Sequence, residues 1–176
     1  QFENSFKLYY MKKIIIIGAG FAGLSSLAVL SKNTAALGLN LTLVNDKDYF
    51  SFLPMLPDCL GRGVNPKNLT CDLRSLSREK NFSFVKDRVL AVDLVNREVR
   101  TTALKLDYDF LIIASGSETN FYGNQQIQES ALKLDDVSDA SLIVEALRNK
   151  SYENYLIVGG GYTGIEVATN LRRYFK

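Results

Sequence analysis

The run Ile14-Ile15-Ile16-Ile17 constrains this chain most, because it stops at Gly18 and restarts as Ala19-Gly20-Phe21-Ala22-Gly23. Consecutive β-branched apolar residues suit a strand covered on both faces, as strands of a parallel sheet are. Gly18 permits a tight turn after it. Gly20 leaves room for a pyrophosphate to reach the backbone, and Gly23 lets a following helix lie close to the strand. The first N–H groups of that helix, and its positive end, would face an anion. One such pattern has two readings: a dinucleotide turn, or a glycine-rich bend that binds nothing. Repetition favours the first. Tyr155-Leu156-Ile157-Val158-Gly159-Gly160-Gly161-Tyr162-Thr163-Gly164 again reads as apolar strand, glycine turn and helix. Two units suggest two dinucleotides, and electron transfer between cofactors.

Composition narrows the class. The chain has 176 residues, 47% of them hydrophobic, which is enough for a packed core. Lys+Arg is 21 against 19 for Asp+Glu, so there is no electrostatic case for nucleic acid or an anionic membrane surface. No apolar run approaches the roughly 20 residues that span a bilayer, and no stretch has the layout of a cleaved leader. Histidine is absent, which excludes histidine acid–base chemistry, histidine metal ligands and a histidine-linked flavin within this segment. Cys59 and Cys71 lack the spacing of a metal site or a redox dithiol, and both read as buried thiols of a reducing compartment. No metal site is expected.

In chain order, residues 1–10 read as an extension or an extra edge strand. A helix is predicted from Phe21 to Ser31 with Leu24, Leu27, Ala28 and Leu30 on its apolar face. A second parallel strand follows from Leu39 to Val44. Asn45 and Asp46 end it, roughly 20 residues beyond Gly23, where an acid would accept hydrogen bonds from a ribose hydroxyl. Asn45 is neutral there and Asp46 is one step late, and Asp46 reads equally as a turn residue. Tyr49 to Asp58 is an aromatic and apolar loop with two prolines, packed either on a flavin ring or in ordinary core. A short helix is expected around Asp72 to Leu76. Phe82, Phe84, Val89, Ala91 and Val92 mark strand pieces, with a hairpin through Leu94-Val95-Asn96. Leu106 to Ala114 contains Tyr108 to Ala114, which reads as another buried strand, ending at the small-residue turn Ser115-Gly116-Ser117. Ser117 to Gln128 reads as a crossover, and Asp135 to Leu147 as an amphipathic helix. The second glycine unit has no second strand after it, so this piece alone is expected to lack catalysis.

These motifs together resemble the FAD-dependent pyridine nucleotide-disulphide oxidoreductase superfamily, and within it the type II NADH dehydrogenases. Gly18-Ala19-Gly20-Phe21-Ala22-Gly23 is similar to the FAD pyrophosphate turn. Tyr49-Phe50-x-Phe52-x-Pro54-x-Leu56 resembles the aromatic–proline segment beside the flavin. Tyr108 to Ser117, with Ala114, Ser115 and Gly116 at its end, resembles the second FAD contact, and Gly159 to Ala168 resembles the NADH turn. The resemblance implies an α/β fold: a Rossmann-like FAD-binding domain, made of a parallel sheet and a small antiparallel meander, over residues 11–119. The crossover and start of an NAD(P)H-binding domain would occupy 120–176. It implies that Gly18, Gly20 and Gly23 hold the FAD pyrophosphate. Asn45 or Asp46 would meet the adenosine ribose, and Val89 would contact adenine through its backbone. Phe52 and Pro54 would flank the flavin. Gly159, Gly161, Tyr162, Thr163 and Gly164 would hold NAD(P)H, with Glu166 near the place where nicotinamide meets flavin. Glu166 reads equally as a first-turn acid favoured by the helix dipole. The disulphide-reducing branches carry a cysteine pair in the first helix region. Phe21 to Ser31 has none, which disfavours a dithiol relay.

The implied activity is hydride transfer from NADH or NADPH to FAD, then electron delivery to a quinone. Alternatives are a protein, oxygen or small-thiol acceptor, or a flavin-bound sensor with little turnover. A cytoplasmic location is expected, with peripheral attachment to the cytoplasmic face of a membrane through segments beyond this chain also open, as is a homodimer.

Overall fold

A computed structural model describes residues 11–149 and 153–176; the reading of residues 1–10 lies outside them. In chain order the strands are β1 (Lys12–Ile17), β2 (Leu39–Asn45), β3 (Tyr49–Ser51), β4 (Thr70–Asp72), β5 (Ser83–Lys86), β6 (Val89–Asp93), β7 (Glu98–Thr101), β8 (Lys105–Asp107) and β9 (Phe110–Ile113). The helices are α1 (Phe21–Leu30), α2 (Thr34–Leu37), α3 (Leu73–Lys80), α4 (Gln125–Ser130), α5 (Val137–Arg148) and α6 (Tyr162–Tyr174). The chain divides into two compact units. The first comprises residues up to Phe50 together with Asp72–Gly116, and the second comprises Ser51–Cys71 and Ser117–Lys176.

The isoleucine run explains the first unit. β1 pairs in parallel with β2, from Lys12 opposite Leu39 to Ile17 opposite Val44. On its other side it pairs in parallel with β9, from Ile14 opposite Phe110 to Ile17 opposite Ile113. The sheet order is β5-β2-β1-β9. Alternate side chains of β1 enter two different cores, because successive residues of a strand point to opposite faces. Ile14 and Ile16 join Leu27 of α1, Leu41, Leu43 and Leu73 on one face. Ile15 and Ile17 join Val44 and Val99 on the other, where the antiparallel sheet β6-β7-β8 supplies Val89, Val92 and Leu106. A strand covered by a helix on one side and a meander on the other has no solvent face, so apolar residues at every position are what it needs. Burial follows: Ile16 and Leu43 are each 0% exposed.

Several expectations change here. The strand read over Tyr108 to Ala114 is shorter, β9 from Phe110 to Ile113 in the parallel sheet, and Leu106 before it belongs to β8 in the meander. The break falls at Tyr108-Asp109, where the Asp109 carboxylate accepts the Lys13 N–H at 2.8 Å and starts the pairing with β1. β9 is an edge strand, so Phe110 and Ile113 stay exposed rather than buried. Ala28, read as part of the buried face of α1, is also exposed. The helix at Leu73–Lys80 is longer than expected, and Asp72 caps it by accepting the Ser75 N–H at 2.6 Å.

In the second unit, Leu60, Leu147 and Leu171 form the core, with Ile143, Tyr155, Ile157 and Val167 packed around them. α5 begins at Asp136, whose carboxylate accepts the Ser138 N–H at 3.0 Å and the Ser51 hydroxyl at 2.8 Å. The apolar strand expected at Tyr155 to Val158 makes no ladder among the described residues. It still alternates as a strand would: Tyr155 and Ile157 pack inward, while Leu156 and Val158 are 91% and 82% exposed. Of the two cysteines, Cys59 is buried as expected, but Cys71 is exposed. Among the described residues, no helix is long and apolar enough to cross a membrane.

Asp87 locks the meander. Its carboxylate accepts the Thr101 hydroxyl at 2.6 Å, the Thr102 hydroxyl, and the N–H groups of Ala103 at 3.0 Å and Arg88 at 2.7 Å. Donors that favour the ionised form, Thr101 and Thr102 foremost, hold its pKa well below the usual carboxylate range. The contribution of Asp87 is therefore complete above the unfolded-state value of about 3.9 and is lost as pH falls below it towards the lower folded-state value. In acid titrations followed by circular dichroism, the full-length protein should lose stability below about pH 3.9 more steeply than its Asp87→Asn variant. Parallel curves would remove Asp87 from this role.

Candidate functional site

The strand order places the first site. From β1 the chain builds β2 and β5 to one side, then returns with β9 on the other, so the direction of winding reverses between β1 and β9. In open parallel sheets such a reversal leaves a crevice at the carboxyl ends of the strands, where ligands bind. Gly18 follows β1, Ala114-Ser115-Gly116 follows β9, and Asn45 ends β2. Three separately predicted segments thus meet at one edge of the sheet.

The glycines divide their work there. Gly18 has φ +97°, and a Cβ on it would stand 2.2 Å from the Ala114 carbonyl oxygen. A Cβ on Gly23 would stand 1.9 Å from the Gly18 carbonyl oxygen, so α1 packs on the turn at a distance no side chain allows. Gly20 differs. A Cβ there meets nothing within 4 Å, and its φ of −78° suits any residue. Gly20 is the N-cap of α1 without a capping side chain, and the first turn of α1 carries no acid. The helix start therefore carries no side chain that would compete with an anion for its first N–H groups. Phe21, first in α1, meets Phe50 edge to face at 5.1 Å between centroids.

Asn45 has a role that its sequence position did not reveal. Its Oδ1 accepts the Ala19 N–H at 3.0 Å, and its Nδ2 donates to the Lys47 carbonyl at 2.9 Å. With the Gly18 N–H donating to the Val44 carbonyl at 2.9 Å, this braces the turn against the end of β2. Asp46 beside it is exposed. Val89 stands at the start of β6, opposite Thr101.

The second unit repeats the turn. Gly159 has φ +114°, and a Cβ on Gly164 would stand 2.1 Å from its carbonyl oxygen. Gly161 is the uncapped N-cap of α6, and a Cβ there meets nothing within 4 Å. Tyr162 and Thr163 open the helix, both exposed. Glu166 is the fifth residue of α6, beyond the first turn, which carries no acid; the reading of Glu166 as a first-turn acid favoured by the dipole is therefore set aside. It lines a cavity of about 210 Å³ with Thr163, Pro54, Pro57, Ser117 and Asp135. Phe52 and Pro54 are exposed in the same unit. Burial raises the Asp135 pKa, but Thr119 donates to it through its hydroxyl at 2.7 Å and its N–H at 3.1 Å, and with Lys133 this holds it below the usual range. A larger cleft of about 340 Å³ between Glu118, Phe121, Lys133 and Leu142 contains none of the expected site residues. Among the described residues, no cluster of cysteine and carboxylate side chains could hold a metal ion.

A parallel sheet with a glycine turn at its winding reversal, and a second such turn in a separate unit, define a dinucleotide-binding α/β protein. The chain belongs to the pyridine nucleotide-disulphide oxidoreductase family, whose profile matches residues 12–176. The family's cofactors are FAD and a pyridine nucleotide. The open N-caps at Gly20 and Gly161, which a side chain would fill, fit a pyrophosphate in each turn. The type II NADH:quinone oxidoreductase of Staphylococcus saprophyticus is 28% identical over 88% of this chain and 42% of its own length. The mitochondrial external alternative NAD(P)H-ubiquinone oxidoreductase B4 of Arabidopsis thaliana is 25% identical over 93% of this chain and 32% of its own. The structure of NDH2 from Plasmodium falciparum in complex with NADH superposes with TM-score 0.72 at 29% identity, covering 89% of this chain and 36% of that one. The chain thus spans about a third to two-fifths of the length of these relatives.

The glycine geometry separates a binding role from a folding role. Gly20→Ala in the full-length protein should leave the melting temperature within a few degrees and lower FAD affinity at least about tenfold, because its Cβ fills only the ligand's space. Gly23→Ala should destabilise the fold itself, since its Cβ meets backbone. Equal FAD affinity in Gly20→Ala and wild type, measured by flavin fluorescence, would show that nothing approaches the turn there.

Proposed function

We propose that this chain is the nucleotide-binding part of a flavoprotein that transfers a hydride from NAD(P)H to FAD and passes the electrons to a quinone. The observation that carries the reading is the same glycine geometry built twice, each time with an open helix start. Only a protein that brings two dinucleotides together needs both. Residues 11–119 are assigned to the FAD-binding domain and 120–176 to the beginning of the NAD(P)H-binding domain. The quinone assignment is supported by the relatives from Staphylococcus saprophyticus and Arabidopsis thaliana, whose names specify quinone or ubiquinone reduction.

The protein's own part is binding and placement. The Gly18–Gly23 turn and the N–H groups of α1 take the FAD pyrophosphate, with the adenosine ribose at Asn45 and Asp46. The Val89 backbone takes adenine, and Ala114, Ser115 and Gly116 form the second approach to FAD. The Gly159–Gly164 turn takes the pyrophosphate of NAD(P)H, with Tyr162 and Thr163 beside it. Phe52 and Pro54 flank the flavin. Glu166, on the cavity wall beyond the turn, is assigned to the region where nicotinamide meets flavin. The flavin, when bound, accepts the hydride and releases electrons singly or in pairs.

The test uses the full-length protein. Its flavin absorbance should bleach on adding NADH under nitrogen and recover on adding a short-chain quinone, faster than with a ferredoxin. Flavin that NADH does not bleach would sink the oxidoreductase reading, and recovery with ferredoxin alone would replace the quinone.

A further inference from the structure

Asn170 lies one turn beyond Glu166 on α6 and is only 3% exposed. Its Nδ2 donates to the Pro57 carbonyl at 2.9 Å and to the Asp58 carboxylate at 3.3 Å. Its Oδ1 is buried and accepts no hydrogen bond among the described residues. Burying that oxygen unpaired opposes folding, and a leucine of similar volume would avoid it. The donor half of the amide is therefore what the position uses. The backbone makes the same contact: a Cβ on Gly61 would stand 2.0 Å from the Asn170 carbonyl oxygen. Arg62 pairs with Asp58 at 3.2 Å, which orients the carboxylate that Asn170 meets.

The anchored segment is also a cavity wall. Pro54 and Pro57 line one side of the 210 Å³ cavity, and Thr163 and Glu166 line another from α6. Pro57 thus lines the cavity while its carbonyl is held by the helix that carries Glu166. Beyond it, Leu60 is fastened in the core with Leu147 and Leu171.

We propose that Asn170 is a positioning residue, which sets the spacing between the Pro54–Pro57 wall and the Glu166 carboxylate by tying the Pro57 carbonyl to α6. Asn170 does not line the cavity itself and acts through Pro57. The proposal rests on the reading of this cavity as the place where nicotinamide and flavin meet.

Asn170→Leu removes the donor and keeps the volume. Gly61→Ala forces the same contact apart from the other side, and serves if the first variant does not fold. Each is compared with wild type, full length, by hydrogen exchange and by stopped-flow flavin bleaching with NADH. Exchange over Leu53–Arg62 should accelerate at least about tenfold, since the Cys59 and Arg62 N–H groups depend on that segment's turns. Exchange in β1 and β2 should not change. The bleaching rate at saturating NADH should fall about tenfold, with the half-saturating NADH concentration moving less than about threefold, as lost positioning rather than lost binding requires. Unchanged exchange overturns the proposal, as does faster exchange with an unchanged bleaching rate. If wild type takes up FAD but is not bleached, the oxidoreductase reading fails separately, and the exchange result alone then decides whether Asn170 anchors the segment.

Discussion

The contact on which the site depends is that of a helix with a carbonyl oxygen. At Gly23 that oxygen belongs to Gly18, and at Gly164 it belongs to Gly159. Any Cβ at Gly23 or Gly164 would push the helix off the turn. The helix would then no longer aim its first N–H groups across the open N-cap, and the anion site proposed there would be lost without any change in the residues that line it. The positive φ of Gly18 and Gly159 is the other half of the same constraint, since it turns the carbonyl towards the helix.

The two turns differ in their surroundings. The first is built into a sheet: Ala114 closes on Gly18, and Asn45 braces Ala19 from the neighbouring strand. The second meets nothing at Gly159, and the extended residues before it carry an exposed apolar side. A preorganised turn presents its N–H groups without first having to order them, so the braced turn is the one equipped to retain a resident cofactor. This agrees with assigning FAD to the first turn and the transient nicotinamide substrate to the second.

Legibility followed the range of the interactions. The β1 strand, the turn after it and α1 could be read because their residues are adjacent and each glycine answers a local demand. Glu166 could be marked as a candidate, but the dipole explanation for it failed once the start of α6 was known. Asn170 and Gly61 gave no signal. An asparagine inside a helix and a glycine ending a loop are ordinary, and they matter because residues more than a hundred positions apart touch. The burial expected of the Tyr108 to Ala114 strand failed for a similar cause. An apolar run states that a strand forms but not whether it lies at a sheet edge, and β9 is left at the edge with Phe110 and Ile113 exposed.

By itself, the sequence determined the class of fold and the place of both glycine turns. Apolar periodicity and glycine spacing act over a few residues, and no long-range contact can substitute for a missing Cβ. Tertiary structure decided the rest. It put Asn45 to work as a brace, left β9 at an edge, and set Pro54, Pro57 and Glu166 around one cavity. Those outcomes depend on which distant backbone carbonyls and side chains come within hydrogen-bonding reach, and only the folded chain brings them together.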